Sequence, residues 1–487
     1  MLFQTERLRL ESIDQIATIW LDRQVMDSEL AMDLGQALRI VRQSPCIDVL
    51  VLRGGKLDCF LTGPDLTECA RLQNEIALRD FSMHGQFLLQ RLERISETIP
   101  TVAYIDGRCT NIGMELALAC DYRLAVARPE TLLGFDPLAR GWLPCWGATQ
   151  RLPRLLGLRT ATRLLTDGDL LPARAARKLG LVDHAFGPRP AKAEFNWFLA
   201  DLQDHPRRPR RFRGQADWIH HVWEQTPFGR ASLFDSIRAK CIDDPLALAL
   251  FDSMERGAKL GPVEGYQAER RALVQTVLAR KHSERLQSAR AWENQATQLR
   301  HTAVPNRIAI VGLSQLGIEL ATATLRFGGQ AIVWDSNESR CEAGLANLHQ
   351  IIDQSVSAGW WTIAEREQKR KDLHISRHGE GAASVDLVFL TGFADEQCTF
   401  LAERECLFKP ESVIVSTEST ARAGVQHPER CLICCFDDPH CVEMIEPQTA
   451  SVDAIDKLAR WFDQCGYRVH GLPAVPHCEE KVAAFAA

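Results

Sequence analysis

The sequence predicts an α/β protein in which two sheet-bearing regions flank a helical stretch. Three observations predict it. Strand and helix signals alternate from about Leu8 to Phe186. Strand signals then vanish from Gly187 to His301. They return at Arg307 with a buried strand, a glycine-bearing turn and a helix. A chain of 487 residues is long enough for two or three full cores. Apolar content of 46% and charged content of 25% place it among globular proteins. Its net charge of −6 gives no global drive toward nucleic acid or anionic lipid. No apolar run approaches a membrane span, and acidic and basic residues stand where a signal peptide would be apolar. The expected setting is therefore cytoplasmic, and the 16 scattered cysteines read as mostly buried, reduced thiols.

In chain order, Leu8 to Leu21 alternates as two paired strands, and Ser28 to Gln43 has helical spacing. Ile47 to Leu52 reads as a strand, with Phe60 to Leu66 as the loop after it. Thr101 to Ile105 is a short buried strand closed by the turn pair Asp106-Gly107. The loop Arg108 to Gly113 then enters the helix-favouring run Met114 to Cys120. Such a junction gathers free backbone N–H groups at the helix start, where developing negative charge is stabilised. Helical runs follow at Ala231 to Met254 and Val263 to Leu299. Arg307 to Gly312 is a buried strand, Gly312-Leu-Ser-Gln-Leu-Gly317 a turn, and Ile318 to Phe327 a helix. Gln330 to Asp335 is a second strand ending in an acid, near the expected offset of about 20 residues for a βαβ dinucleotide fingerprint. Asp386 to Leu390 and Ser412 to Ser416 supply later parallel strands, and no internal repeat relates the halves.

The first region resembles the crotonase (enoyl-CoA hydratase/isomerase) superfamily. The resemblance runs through Asp106-Gly107, Gly113 to Arg123, Ala148 to Pro153 and Gly180 to Asp183. It implies a spiral of ββα turns over residues 1–187. Thr226-Pro-Phe-Gly-Arg230 and the helix after it resemble the linker of fused β-oxidation enzymes, giving a helical linker over 188–302. Residues 303–487 are then expected to form a Rossmann-type, doubly wound sheet similar to that of 3-hydroxyacyl-CoA dehydrogenases, without their C-terminal helical domain. The whole chain resembles a bifunctional β-oxidation α subunit. That resemblance implies acyl-CoA as ligand or substrate, NAD as cofactor, and a homo-oligomer or thiolase-type subunit as partner. The basic run His205 to Arg213 could touch a CoA phosphate or nucleic acid, but reads better as solvated linker.

Crotonase chemistry needs two N–H groups for the thioester oxygen as it becomes an enolate. By resemblance, one belongs to the residue after Gly63 and the other to Ile112. The first is Pro64, which has no N–H. Hydration also needs two carboxyl groups around a water. Glu115 occupies the first position, and a helix-start acid is the bland alternative. The second position falls on Pro137, with Asp136 beside it as a candidate substitute; the stretch Pro129 to Gly134 mimics the family's acidic run but falls seven positions too early.

In the dinucleotide turn, Gly312, Gly317 and Asp335 remain, while Ser314 replaces the middle glycine and must intrude on the pyrophosphate or turn aside. Asp335 also fits a plain strand-end residue. By resemblance to the dehydrogenases, Ser419 and Glu443 are retained. Cys435 stands where they carry a histidine base, with His440 five positions on, and Leu390 where they carry an acid. A thiol with pKa near 8.5 is a poor substitute for imidazole. Cys431, Cys434, Cys435, His440 and Cys441 lack two matched C-x-x-C knuckles, so buried thiols are expected and no metal site. The expected function is an acyl-CoA-binding pseudoenzyme or scaffold, with weakened or lost NAD binding. The alternative is a working hydratase/isomerase or dehydrogenase with rearranged residues.

Overall fold

The computed structural model describes the chain apart from residues 57, 136–141, 169, 206–225, 243, 280–303, 377–380, 418–424, 439–440, 446–449, 466 and 472–487. Two compact units form, Met1–Leu286 and Gln287–Ala487.

The first unit begins with Phe3–Gln4 (β1) and a hairpin of Leu8–Ile13 (β2) and Ile16–Leu21 (β3). Its two-residue turn has Asp14 and Gln15 both at positive φ, 49° and 66°, which matches the twist of the paired strands. Leu8, Leu10, Ile19 and Leu21 are fully buried by the alternation read in the sequence. Three strand pairs follow. They are Val49–Gly54 (β4) with Cys59–Leu61 (β5), Thr101–Ile105 (β6) with Arg108–Thr110 (β7), and Tyr122–Val126 (β8) with Leu132–Gly134 (β9). The first of each pair joins a seven-stranded sheet, β1-β2-β3-β4-β6-β8-β11. The second joins a four-stranded sheet, β10-β9-β7-β5, where β10 is Leu170–Pro172 and β11 is His184–Phe186. This is the expected ββα spiral. The segments read as loops, Phe60 to Leu66 and Arg108 to Gly113, carry β5 and β7 of the smaller sheet. Strands of three residues are too short for a periodic signal.

Helix Ser28–Gln43 forms where its spacing predicts it, capped by the Asp27 carboxylate, which accepts from Leu30 N at 2.6 Å. The helical run Ala231 to Met254 is broken. Helix Pro227–Cys241 ends, and Asp244 starts Pro245–Leu260 by accepting from Leu246 N and Ala247 N at 2.9 and 3.2 Å. The helices read as linker pack into the first unit. Pro262–Leu278 lies against Glu75–Ile95, and Pro245–Leu260 against Ala148–Leu156 and Leu158–Thr166. Each has an apolar face, including Leu250, Phe251 and Met254 on one and Leu273 and Val277 on the other, that needs a partner. Burying such a side chain contributes about 1.5–3 kcal/mol. Of the basic run only His205 lies within the described residues.

The second unit carries an eight-stranded sheet. Its strands are Arg307–Val311 (β12), Gln330–Trp334 (β13), Leu373–Ile375 (β14), Leu387–Leu390 (β15), Val413–Ser416 (β16), Cys431–Asp438 (β17), Cys441–Ile445 (β18) and Arg468–Gly471 (β19). The order is β14-β13-β12-β15-β16-β17-β18-β19, and only β17–β18 is antiparallel. Helices cover both faces, as a doubly wound sheet requires. One core gathers Ile310, Phe389, Trp461 and Phe462, and the other Val311, Val388, Phe400 and Leu401. Among the described residues, no helix is long and apolar enough to cross a membrane.

Candidate functional site

The first site is built where β5 and β7 hand over to their loops. The Thr110 hydroxyl at the end of β7 donates to Thr62 O at 2.9 Å, tying the Thr62–Pro64 loop to the start of helix Ile112–Leu118. A Cβ on Gly113 would lie 1.9 Å from Leu61 O, so only glycine permits this approach. The loop that holds Gly63 and Pro64 is thereby tied, through Thr62, to the strand that leads into helix Ile112–Leu118. Helix Ile112–Leu118 starts two residues earlier than its apolar run suggests, after Asn111 in a positive-φ conformation (φ 52°, ψ −118°). Such a conformation costs a non-glycine residue on the order of 1–3 kcal/mol.

Pro64 is pinned from both sides. Met26 N donates to Gly63 O at 2.7 Å, and Asp65 N donates to Met26 O at 2.8 Å. Asp65 then caps the helix Leu66–Cys69. The peptide nitrogen between these anchors carries no hydrogen.

Glu115 is fully buried. Its Oε1 accepts from Trp146 N at 2.8 Å and from Ala148 N at 3.0 Å, and its Oε2 has no hydrogen-bond partner among the described residues. Burial, and then the neighbouring charge of Glu269, push its pKa up to about 8, against the pull of the two N–H donors. Sequence reasoning missed Glu269, which is 1% exposed on helix Pro262–Leu278. It accepts from Thr149 N at 3.2 Å, from the Thr149 hydroxyl, and from Gln86 Nε2 at 3.0 Å. Burial raises its pKa too. Gln86 also receives a bond from Arg270 and donates to Cys145 O at 3.1 Å. Buried Arg151 donates to Glu93 at 2.9 and 3.2 Å and to Trp146 O at 2.7 Å. Two carboxyl groups therefore clamp consecutive parts of one turn, residues 146–149. The available signal was an acid on an apolar stripe, between Tyr266 and Leu273. Asp136 and Pro137 lie outside the described residues.

The second site lies at the ends of β12, β13 and β15. Gly312 has φ +97°, and a Cβ there would meet Gly392 N at 2.5 Å. Ser314 turns aside. Its hydroxyl accepts from Gly317 N at 3.2 Å and caps helix Gln315–Arg326. Serine's preference for the N-cap was the readable signal. Asp335 follows β13 with its side chain buried. Its Oδ2 accepts from Leu313 N at 2.8 Å and Arg340 Nε at 2.7 Å, and its Oδ1 from Asn337 N at 2.9 Å. Burial opposes ionisation, but the Arg340 guanidinium and the two N–H donors outweigh it and hold the carboxyl below its usual range.

Cys435 and Glu443 are direct partners across β17 and β18. Ser419 and His440 lie outside the described residues. Leu390 is fully buried at the end of β15. Cys434 is buried, which pushes its thiol pKa well up. Among the described residues, no three His, Cys, Asp or Glu side chains converge as a metal site.

The spiral with its junction at Glu115, and the parallel sheet with its glycine turn, define a chain that joins a crotonase-type domain to a dinucleotide-binding domain. Residues 11–198 match the enoyl-CoA hydratase/isomerase family, and residues 307–469 match the 3-hydroxyacyl-CoA dehydrogenase NAD-binding domain family. In this combination the chain resembles a bifunctional fatty-acid β-oxidation α subunit. It is 27% identical over 395 residues to the fatty acid oxidation complex subunit alpha of Shewanella halifaxensis (strain HAW-EB4), covering 78% of this chain and 54% of that one. It is also 27% identical over 456 residues to the same subunit of Shewanella frigidimarina (strain NCIMB 400), covering 88% and 62%. The chain therefore spans between half and two thirds of the length of these relatives. An enoyl-CoA hydratase structure from Mycobacterium avium subsp. paratuberculosis K-10 aligns at 16% identity and TM-score 0.42, covering 59% of this chain and 100% of that one.

Proposed function

We propose that this chain binds acyl-CoA in its first unit while enoyl-CoA hydration is slow or lost, so that it serves as a scaffold or regulator of β-oxidation type. The observation that carries this reading is Pro64. Its peptide is fixed on both sides by Met26, yet it offers no donor where the thioester oxygen needs one. Loss of one donor of an oxyanion pair lowers turnover by about 10²–10³. It weakens ground-state binding far less. Ile112 N–H remains for the thioester oxygen. Glu115, with a pKa of about 8, holds a proton at neutral pH and is an acid rather than a base there. Pro137 supplies no second carboxyl.

In the second unit the residues fit a dinucleotide. The Gly312–Gly317 turn opens a helix, Ser314 is folded back, and Asp335 stands at the end of the next strand. NAD, when bound, supplies the hydride acceptor. The protein's part is to cradle the pyrophosphate on that turn and the ribose at Asp335. Cys435 in place of an imidazole base supports weak or absent 3-hydroxyacyl-CoA oxidation.

The test is turnover of crotonyl-CoA and of acetoacetyl-CoA with NADH by the full chain, with binding measured in parallel. The expected result is acyl-CoA binding tighter than about 1 mM and hydration far below a typical kcat of about 10 s⁻¹. The double change Pro64→Ala with Pro137→Glu raises hydration. Ordinary wild-type turnover overturns the reading. The Glu115 Oε2, without a hydrogen-bond partner among the described residues, favours a second reading, an active enzyme with rearranged residues in which Glu115 delivers a proton. In that case Glu115→Gln abolishes a measurable wild-type rate.

A further inference from the structure

The Asp335 carboxylate is nearly full. An ionised carboxylate offers roughly four acceptor positions. Here three are taken, by Leu313 N, Asn337 N and Arg340 Nε. A ribose presents a vicinal diol with two donors, and one acceptor position does not satisfy both.

Arg340 does not stop at Asp335. Its Nη2 donates to both oxygens of Glu396, at 2.8 and 2.9 Å. Glu396 stands in the first turn of helix Ala394–Arg404, after β15, while Asp335 and Arg340 follow β13. In the sheet, β12 lies between β13 and β15, and all three run parallel. The ion-pair chain Asp335–Arg340–Glu396 therefore passes over the end of β12, where the Gly312–Gly317 turn begins. Ser336 adds a bond to Glu396 at 3.3 Å, and Phe393 N donates to the same carboxylate at 3.3 Å. The Arg340 guanidinium also lies 5.9 Å from the Phe393 ring centroid.

We propose that Arg340 is a strap across the dinucleotide turn, one that competes with the adenosine ribose for Asp335 and must leave both Asp335 and Glu396 for a dinucleotide to seat. This rests on the reading above that the second unit binds NAD. The strap is openable. The Arg340 and Glu396 side chains are 29% and 31% exposed, whereas that of Asp335 is buried. Partly solvated ion pairs of this kind are individually weak. Asp335 keeps two backbone donors when Arg340 departs, so its carboxylate stays in place to receive the diol.

The experiment titrates the full chain with NADH, by calorimetry or nicotinamide fluorescence, in wild type, Arg340→Gln, Glu396→Gln, and Arg340→Gln with Asp335→Asn. A closed form in the majority weakens apparent affinity by the fraction open, so cutting the strap at either end is expected to tighten binding about fivefold. The double change loses that gain, because the ribose has no carboxylate to meet. A lowered melting temperature for Arg340→Gln with NADH affinity unchanged or weaker overturns the strap and leaves the cofactor reading standing. If neither wild type nor any variant binds NADH at millimolar concentration, both fall together.

Discussion

Glu115 and Asp335 are both acids at the key position of their unit, and their surroundings push them in opposite directions. Both are buried and both accept two backbone N–H groups. Glu115 faces another carboxyl, Glu269, and its pKa rises to about 8. Asp335 faces Arg340, and its pKa is held below the usual range. Two backbone donors alone therefore do not keep a carboxyl ionised. Burial acts first and raises both; at Glu115 the neighbouring carboxyl adds to that rise, whereas at the less deeply buried Asp335 the Arg340 guanidinium, with the backbone donors, overcomes it.

The harshest way to break the first unit, leaving the second as the contrast, is Gly113→Ala. Its Cβ would lie 1.9 Å from a backbone oxygen of Leu61, and the smaller sheet cannot move aside cheaply. A loss of roughly 3 kcal/mol or more in unfolding free energy is expected, read as the fall in denaturant midpoint multiplied by the m-value.

The opposite pKa shifts predict opposite pH slopes. Glu115 ordinarily titrates at 4.5 and in the fold at about 8, so the folded state holds the proton longer. Its share of stability is full below about pH 4.5, falls as the pH rises, and levels off above about 8. Urea midpoints measured across that window should be flatter in Glu115→Gln. Asp335 behaves in reverse. Its share is present above its ordinary value of 3.8 and is lost as acid protonates the folded carboxyl. Asp335→Asn should shrink the acid-side loss without changing the neutral-to-alkaline slope. Equal slopes in both variants would show that the contrast between the two acids is not real.

The smallest expected effect is at Ser314. Ser314→Ala removes the cap on Gly317 N and costs about 1 kcal/mol, while Ser314→Gly costs only a few tenths. Because the hydroxyl already points into the helix, Ser314→Gly should change NADH affinity by less than about threefold, under 1 kcal/mol. A much larger gain would mean the side chain does obstruct the pyrophosphate.

The fold was legible where a pattern is long or a residue type is compulsory. The Leu8–Leu21 alternation, the helix Ser28–Gln43 and the βαβ turn at Gly312 are such cases. Proline at position 64 was legible as chemistry, because no fold restores its missing hydrogen. Strands β5 and β7 were hidden because three residues carry no period. Glu269 was hidden because its partners, Gln86 and Thr149, lie 183 and 120 residues away. The direction of the Ser314 hydroxyl is a rotamer, and the sequence supplied only the N-cap preference that selects it.

Those long separations also set an order of events during synthesis. The turn at residues 146–149 is complete only when Glu269 arrives to accept from Thr149 and Gln86. Until about residue 278 has left the ribosome, those donors and the apolar faces of helices Glu75–Ile95 and Ala148–Leu156 await the helix Pro262–Leu278. At about 5–20 residues per second, the interval between the turn and its acid lasts on the order of ten seconds. A nascent chain stalled before that helix would leave the surfaces it covers on Glu75–Ile95 and Ala148–Leu156 open to water or to a chaperone.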